Sequence, residues 1–161
     1  MTDFLRGIDE FLATVTPEEQ AVTRVVFRRL LGGQGIRPEA VAATLEIPLT
    51  AVERAVDHLV ERGTMERHAD SGELVAARGL SLVETPHRLI IDGRPLYAFC
   101  AIDAVGIPAA LQVEAQVESR CHVCGAPVSL TLRGGKVTNA SPAALIWAAE
   151  RDLTRSLHRY T

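Results

Sequence analysis

Cys100 and Asp103 stand three residues apart in the run Arg94-Pro95-Leu96-Tyr97-Ala98-Phe99-Cys100-Ala101-Ile102-Asp103. On a helix that spacing puts both side chains on one face, close enough to meet. A thiol is a soft nucleophile and soft-metal ligand, and a carboxylic acid carries protons. Asp103 is flanked by Ile102, Ala104 and Val105. An unpaired carboxylate is costly among apolar residues. It must therefore find a partner, face a cleft, or stay protonated with a raised pKa, and the last option suits a proton donor. Against this stands the bland reading of a lone cysteine as a small buried hydrophobe.

The other two cysteines form Cys121-His122-Val123-Cys124, followed by Gly125. Two thiolates at this spacing suit a soft metal, with Cys100 as a third ligand for Hg(II), Cu(I) or Zn(II). The alternative is a core Cys121 beside an incidental edge Cys124, and both readings stay open. A redox pair fits less well, because no helix begins at Cys121 to acidify it. His122 is a further candidate ligand or simply an exposed residue. His58, His68, His87 and His158 show no ligand spacing. No phosphate loop, nucleotide fingerprint or Ser-His-Asp order is present, and no organic cofactor is expected.

The elements that must position these groups fall into two parts, 1–82 and 83–161. Residues 3–14 place Phe4, Ile8, Phe11 and Leu12 on one stripe and predict a short amphipathic helix. Thr16 is a candidate N-cap, with Pro17 at the first helical position and Glu18 and Glu19 in the first turn. That helix runs to about Leu31 and stops at Gly32-Gly33. Pro38 opens another, ending near Glu46-Ile47-Pro48. Thr50 and Glu53 have the form of a capping box for a further helix that presents Val52, Val56, Leu59 and Val60 and ends at Gly63. Extended runs on either side of Asp70-Ser71-Gly72 complete the outline of a helix-turn-helix with a wing.

Beyond Pro86, Asp92-Gly93 predicts a hairpin between strands at 88–91 and 94–97. A short apolar helix is expected over 98–106. Alternation at Val113, Ala115 and Val117, and at Val128, Leu130 and Leu132, predicts two half-buried strands. Gly134-Gly135 turns the chain into a third extended run, and Pro142 opens a last helix. The predicted class is α+β: a winged-helix-like helical module, then a small antiparallel-sheet core carrying the Cys/Asp helix.

The bulk numbers allow this. The 161 residues are 47% hydrophobic and 23% charged, enough apolar material for a core without disulfide staples. Net charge is −3 and neither half is strongly basic. The exposed positions of the candidate DNA-reading helix would carry Glu53, Arg54, Asp57, His58 and Glu61, a face that phosphates would repel. DNA is therefore not an expected partner despite Arg67 and Arg78 on the wing, and the module reads as scaffold or as the surface of a homodimer. No apolar run reaches membrane-spanning length, and Met1-Thr2-Asp3-Phe4 lacks the basic start of a signal peptide. A cytoplasmic location, free thiols and no membrane association are expected.

The run Leu96-Tyr97-Ala98-Phe99-Cys100-Ala101-Ile102-Asp103, continuing through Ile107-Pro108-Ala109, resembles the segment of organomercurial (alkylmercury) lyases that carries their first catalytic cysteine and catalytic aspartate. The likeness resumes at Cys121 and at Gly125-Ala126-Pro127-Val128-Ser129-Leu130-Thr131, and spans roughly residues 20–145. It implies a protonolysis. A cysteine thiolate takes the mercury of an organomercurial, a second cysteine joins it, an aspartate protonates the carbon, and small cytosolic thiols carry off Hg(II). Carried over, Cys100 is the first thiol and Asp103 the proton shuttle. No cysteine follows Cys124, so the resemblance implies a C-terminally shortened member without the second catalytic cysteine, whose place Cys121 or Cys124 would take. The competing class is a non-catalytic binder or sensor of a thiophilic metal or small ligand on the same scaffold.

Overall fold

The structure is a computed structural model and describes residues 14–141 and Ile146. The helices expected at 3–14 and from Pro142 onward lie outside the described residues, Thr14 and Ile146 excepted.

Three helices come first. In α1 (Pro17–Leu31) the Thr16 hydroxyl accepts the Glu19 N–H at 3.1 Å, and the Glu19 carboxylate accepts the Thr16 N–H at 2.8 Å. The capping box thus sits here. Val22, Val26 and Leu30, each one turn further on, are fully buried as a single stripe. Next come α2 (Pro38–Leu45) and α3 (Leu49–Glu61). The capping box expected at Thr50 and Glu53 does not form: α3 begins at Leu49 behind Pro48, with no side-chain cap. Glu53 turns instead to Arg67, which donates to it at 2.5 Å. Val52, Ala55, Val56 and Leu59 are buried, whereas Val60, expected on the same stripe, is 37% exposed.

The strands form one antiparallel sheet of eight, ordered β1-β2-β3-β5-β4-β6-β7-β8. They are β1 (Met65–Arg67), β2 (Leu74–Ala77), β3 (Leu80–Ser81), β4 (His87–Ile91), β5 (Arg94–Ala98), β6 (Ala115–Arg120), β7 (Pro127–Arg133) and β8 (Lys136–Ala140). The Asp92-Gly93 hairpin forms as expected. Both turn residues have positive φ, 50° and 74°, which matches the twist of the flanking strands. The sheet runs without a break past residue 82, because β3 pairs with β5 through Leu80↔Ala98 and Ser81↔Tyr97.

Between β5 and β6 lies α4 (Ala101–Leu111). It starts later than expected and runs past Gly106 and through Pro108. Pro108 has no N–H to continue the ladder, yet Ala104, Ile107 and Pro108 bury their side chains against the sheet. Tertiary packing carries the helix past both breakers. The core is continuous from Val22 and Leu30 through Leu74, Leu80, Leu89 and Leu96 to Ala104, Val117 and Leu132. Among the described residues no helix is long and apolar enough to cross a membrane.

Candidate functional site

Cys100 is the N-cap of α4, with extended backbone (φ −147°, ψ 170°), and Asp103 lies in the first turn. The expected meeting of the two side chains occurs there. The Cys100 thiol donates to Asp103 Oδ2 at 3.0 Å, and the Asp103 N–H donates back to Cys100 Sγ at 3.3 Å. Sulfur here takes the role that a serine or aspartate oxygen fills at other N-caps.

A helix start ordinarily acidifies a thiol. Here the Cys100 thiol is pushed up to about 12, first by burial, then by the neighbouring Asp103 charge and by the hydrogen bond to its carboxylate. The N–H groups of Asp103 and Ile102 pull the other way and are outweighed. The resting pair is therefore a thiol hydrogen-bonded to a carboxylate, with one proton between them.

A residue that the sequence reading passed over forms one wall of this site. Gly79 is buried in the two-residue turn Arg78-Gly79 between β2 and β3, where both residues have positive φ (50° and 80°). Its carbonyl accepts the Phe99 N–H at 2.8 Å, next to Cys100. The Asp103 carboxyl rests on its bare Cα: a Cβ there would lie 2.5 Å from Oδ1 and 2.8 Å from Oδ2. The available signal was a glycine between two short apolar runs, which marks a tight hairpin. That signal gives the turn but not what leans on it.

Cys121 and Cys124 occupy the turn between β6 and β7. The turn is closed by Cys121 N–H to the Ala126 carbonyl and Gly125 N–H to the Cys121 carbonyl, both 2.8 Å. The Cys121 thiol is held below its ordinary value, chiefly by the Cys124 N–H, then by the Val123 N–H and the Cys124 thiol. Cys124 and His122 are exposed.

The pairing registers place the ends of β5 and β6 at the same end of the sheet, with β4 between them. Cys100 follows β5 and Cys121 follows β6. Two strand spacings, on the order of 10 Å, separate the chains at that point, and thiolates sharing one ion must lie far closer. Among the described residues no three Cys, His, Asp or Glu side chains group closely enough to hold a metal. The expected three-sulfur set of Cys100, Cys121 and Cys124 is thus not assembled. The structure holds a thiol–carboxylate pair and a separate two-cysteine turn.

His87 is buried between the two, its Nδ1 2.9 Å from the Ser119 hydroxyl. Two cavities lie at the opposite end of the sheet, one lined by Ile90, Gly93, Glu114 and Arg133, the other by Leu31, Ile91, Leu111 and Val113. Neither reaches Cys100.

The chain is similar to known proteins in sequence and in fold. Residues 80–158 match the family model described as alkylmercury lyase. An alkylmercury lyase of Pseudomonas putida is 34% identical over 144 residues, 88% of this chain and 66% of that protein. One of Bacillus cereus is 29% identical over 123 residues, 76% of this chain and 54% of the relative. The chain thus spans about half to two thirds of the length of these relatives. A crystal structure of the mercury-bound form of MerB2 superposes with a TM-score of 0.82 at 29% identity, over 89% of this chain and 69% of the other.

Proposed function

Because the chain belongs to the alkylmercury lyase family, we propose that it cleaves carbon–mercury bonds by protonolysis at Cys100 and Asp103. The observation that carries this reading is the 3.0 Å hydrogen bond from the Cys100 thiol to the Asp103 carboxylate. Soft sulfur binds the mercury of R–Hg⁺. As the S–Hg bond forms, the thiol proton passes along that hydrogen bond to Asp103. The neutral carboxylic acid then delivers the same proton to the carbon as the C–Hg bond breaks. R–H leaves, Hg(II) stays on Cys100, and Asp103 is a carboxylate again. The raised thiol pKa keeps the proton in place until the metal arrives. Small thiols then take the mercury away, with Cys121 or Cys124 as the protein's own candidates for a receiving sulfur.

The three helices and the β1–β2 hairpin read best as a winged-helix-like scaffold and not as a DNA reader. Arg67 on the hairpin donates to Glu53 at 2.5 Å and lies 3.5 Å from Asp57, so this cation is directed to the acidic face of α3 and away from a phosphate.

The test is to give the reduced protein phenylmercury with excess thiol and follow benzene release. Turnover that disappears in both Cys100→Ala and Asp103→Ala supports the lyase. No turnover, together with tight Hg(II) or Cu(I) binding that is lost when Cys121 or Cys124 is changed, overturns it in favour of a metal binder on the same scaffold.

A further inference from the structure

We infer that Gly79 is a positioning residue for Asp103: its bare Cα, presented by the β2–β3 turn, is the surface that sets the carboxyl group beside the Cys100 sulfur. The consequence for turnover rests on the lyase reading above, but the contact itself does not.

Three observations converge. The first is the space. Any side chain at position 79 would place its Cβ 2.5 Å from Oδ1 and 2.8 Å from Oδ2 of Asp103. A saturated carbon cannot come that close to a carboxylate oxygen. One side must give way.

The second decides which side. The turn is tied down from both flanks: Phe99 N–H donates to the Gly79 carbonyl at 2.8 Å, and Arg78 N–H donates to the Thr64 carbonyl at 3.1 Å. The ladder continues directly into Leu80↔Ala98 and Ala77↔Leu80. Moving the turn would cost several buried backbone hydrogen bonds. Asp103 can yield by rotation about its own side-chain bonds, and that rotation carries Oδ2 away from Cys100 Sγ.

The third separates this role from simple turn chemistry. The φ of +80° at Gly79 already favours glycine, but asparagine is well accepted at positive φ in such two-residue turns. If conformation were the only demand, asparagine would serve. If the carboxyl must rest on the Cα, asparagine fails as alanine does.

The contact also joins the two halves of the chain. Gly79 belongs to the hairpin that extends the helical part, and lies one residue before the stretch 80–158 that matches the family model. The helical part thereby contributes a wall of the reacting site.

The experiment is a double-mutant cycle. Gly79→Ala and Gly79→Asn are made with Asp103 present and in an Asp103→Ala background. Phenylmercury turnover, stoichiometric phenylmercury capture by Cys100 and denaturant midpoints are read for each. With Asp103 present, both Gly79 variants are expected to lower kcat at least tenfold while capture remains. In the Asp103→Ala background, Gly79→Asn is expected to leave the unfolding midpoint where it was. Strain from φ is common to both backgrounds and cancels in the cycle. Parent-like kcat in Gly79→Asn would overturn the inference. So would midpoint losses of equal size with and without Asp103. If the unsubstituted protein released no benzene, the lyase reading would fall, and the coupling of positions 79 and 103 in the unfolding data would still decide this one.

Discussion

Cys100 and Cys121 each leave a strand at the same end of the sheet, and each receives the N–H of the residue three positions on. The difference lies in the side chain at that third position. After Cys100 it is a carboxylate held against the sulfur, and the thiol is pushed up to about 12. After Cys121 it is another thiol, Cys124, and the first cysteine is held low by backbone N–H groups that meet no opposing charge. The two sites use one backbone device for opposite ends. The first stores a proton next to a soft nucleophile. The second offers a thiol of lowered pKa near the surface. Protonolysis needs the first and metal hand-over needs the second, so the contrast maps onto the two halves of the proposed reaction.

The strongest way to break that contrast is Asp103→Asn. It keeps the shape against Gly79 and removes the ability to accept and return the proton. Loss of a positioned proton carrier typically costs about 10²–10⁴-fold. Benzene release is expected to fall within that range, while one equivalent of phenylmercury is still captured at Cys100. A variant that turned over at the parent rate would show that the carboxylate is not the proton carrier.

The next effect is on alkylation. With its pKa at about 12, Cys100 is thiolate to only about one part in 10⁴ at pH 8. Cys121 is expected to react with iodoacetamide first and Cys100 far more slowly, as read by peptide mass spectrometry over a pH series. Asp103→Asn is expected to speed Cys100, because the carboxylate charge that raises its pKa is lost. Equal rates at the two cysteines would erase the distinction.

Most of the positions in this comparison were legible in the sequence. The Cys100–Asp103 spacing predicted their contact, and Asp92-Gly93 predicted the hairpin that delivers β5 to the site. The limits were tertiary. The capping pattern at Thr50 and Glu53 was real as a pattern, but Glu53 is drawn off by Arg67, which comes from another element. The helix expected over 98–106 runs on to Leu111, because local propensity cannot register the burial of Ala104, Ile107 and Pro108. Gly79 was invisible as a site residue for the same reason: its importance lies in what approaches it from 24 positions further along the chain. The three cysteines are not grouped among the described residues, and spacing along a chain does not say how many strands lie between two loops.

A smaller expected effect concerns stability at high pH. The Cys100 thiol has a higher pKa folded, about 12, than its ordinary value of 9.0. Its neutral form is therefore favoured by the fold. That contribution is complete below pH 9 and is lost as the pH rises towards 12. Chemical unfolding followed from pH 8 to pH 11 should show a decline that is shallower in Asp103→Asn and shallower still in Cys100→Ala. A Cys100→Ala variant with the parent's slope would mean that the thiol is not held in its neutral form.

The smallest effect runs the comparison in reverse. Cys124→Asp would place a carboxylate three residues after Cys121, as Asp103 stands after Cys100. It also removes the Cys124 thiol that helps hold Cys121 low. Both changes should raise the Cys121 pKa. The rise should stay well short of that at Cys100, because water screens a charge pair at the surface, whereas burial is the largest cause at Cys100. The thiolate absorbance of Cys121, titrated in a Cys100→Ala background, measures it. A modest upward shift would show that the side chain at the third position sets the direction and burial sets the size. An unchanged or lower Cys121 pKa would mean that the carboxylate beside Cys100 is incidental to its acidity, and that desolvation alone separates the two sites.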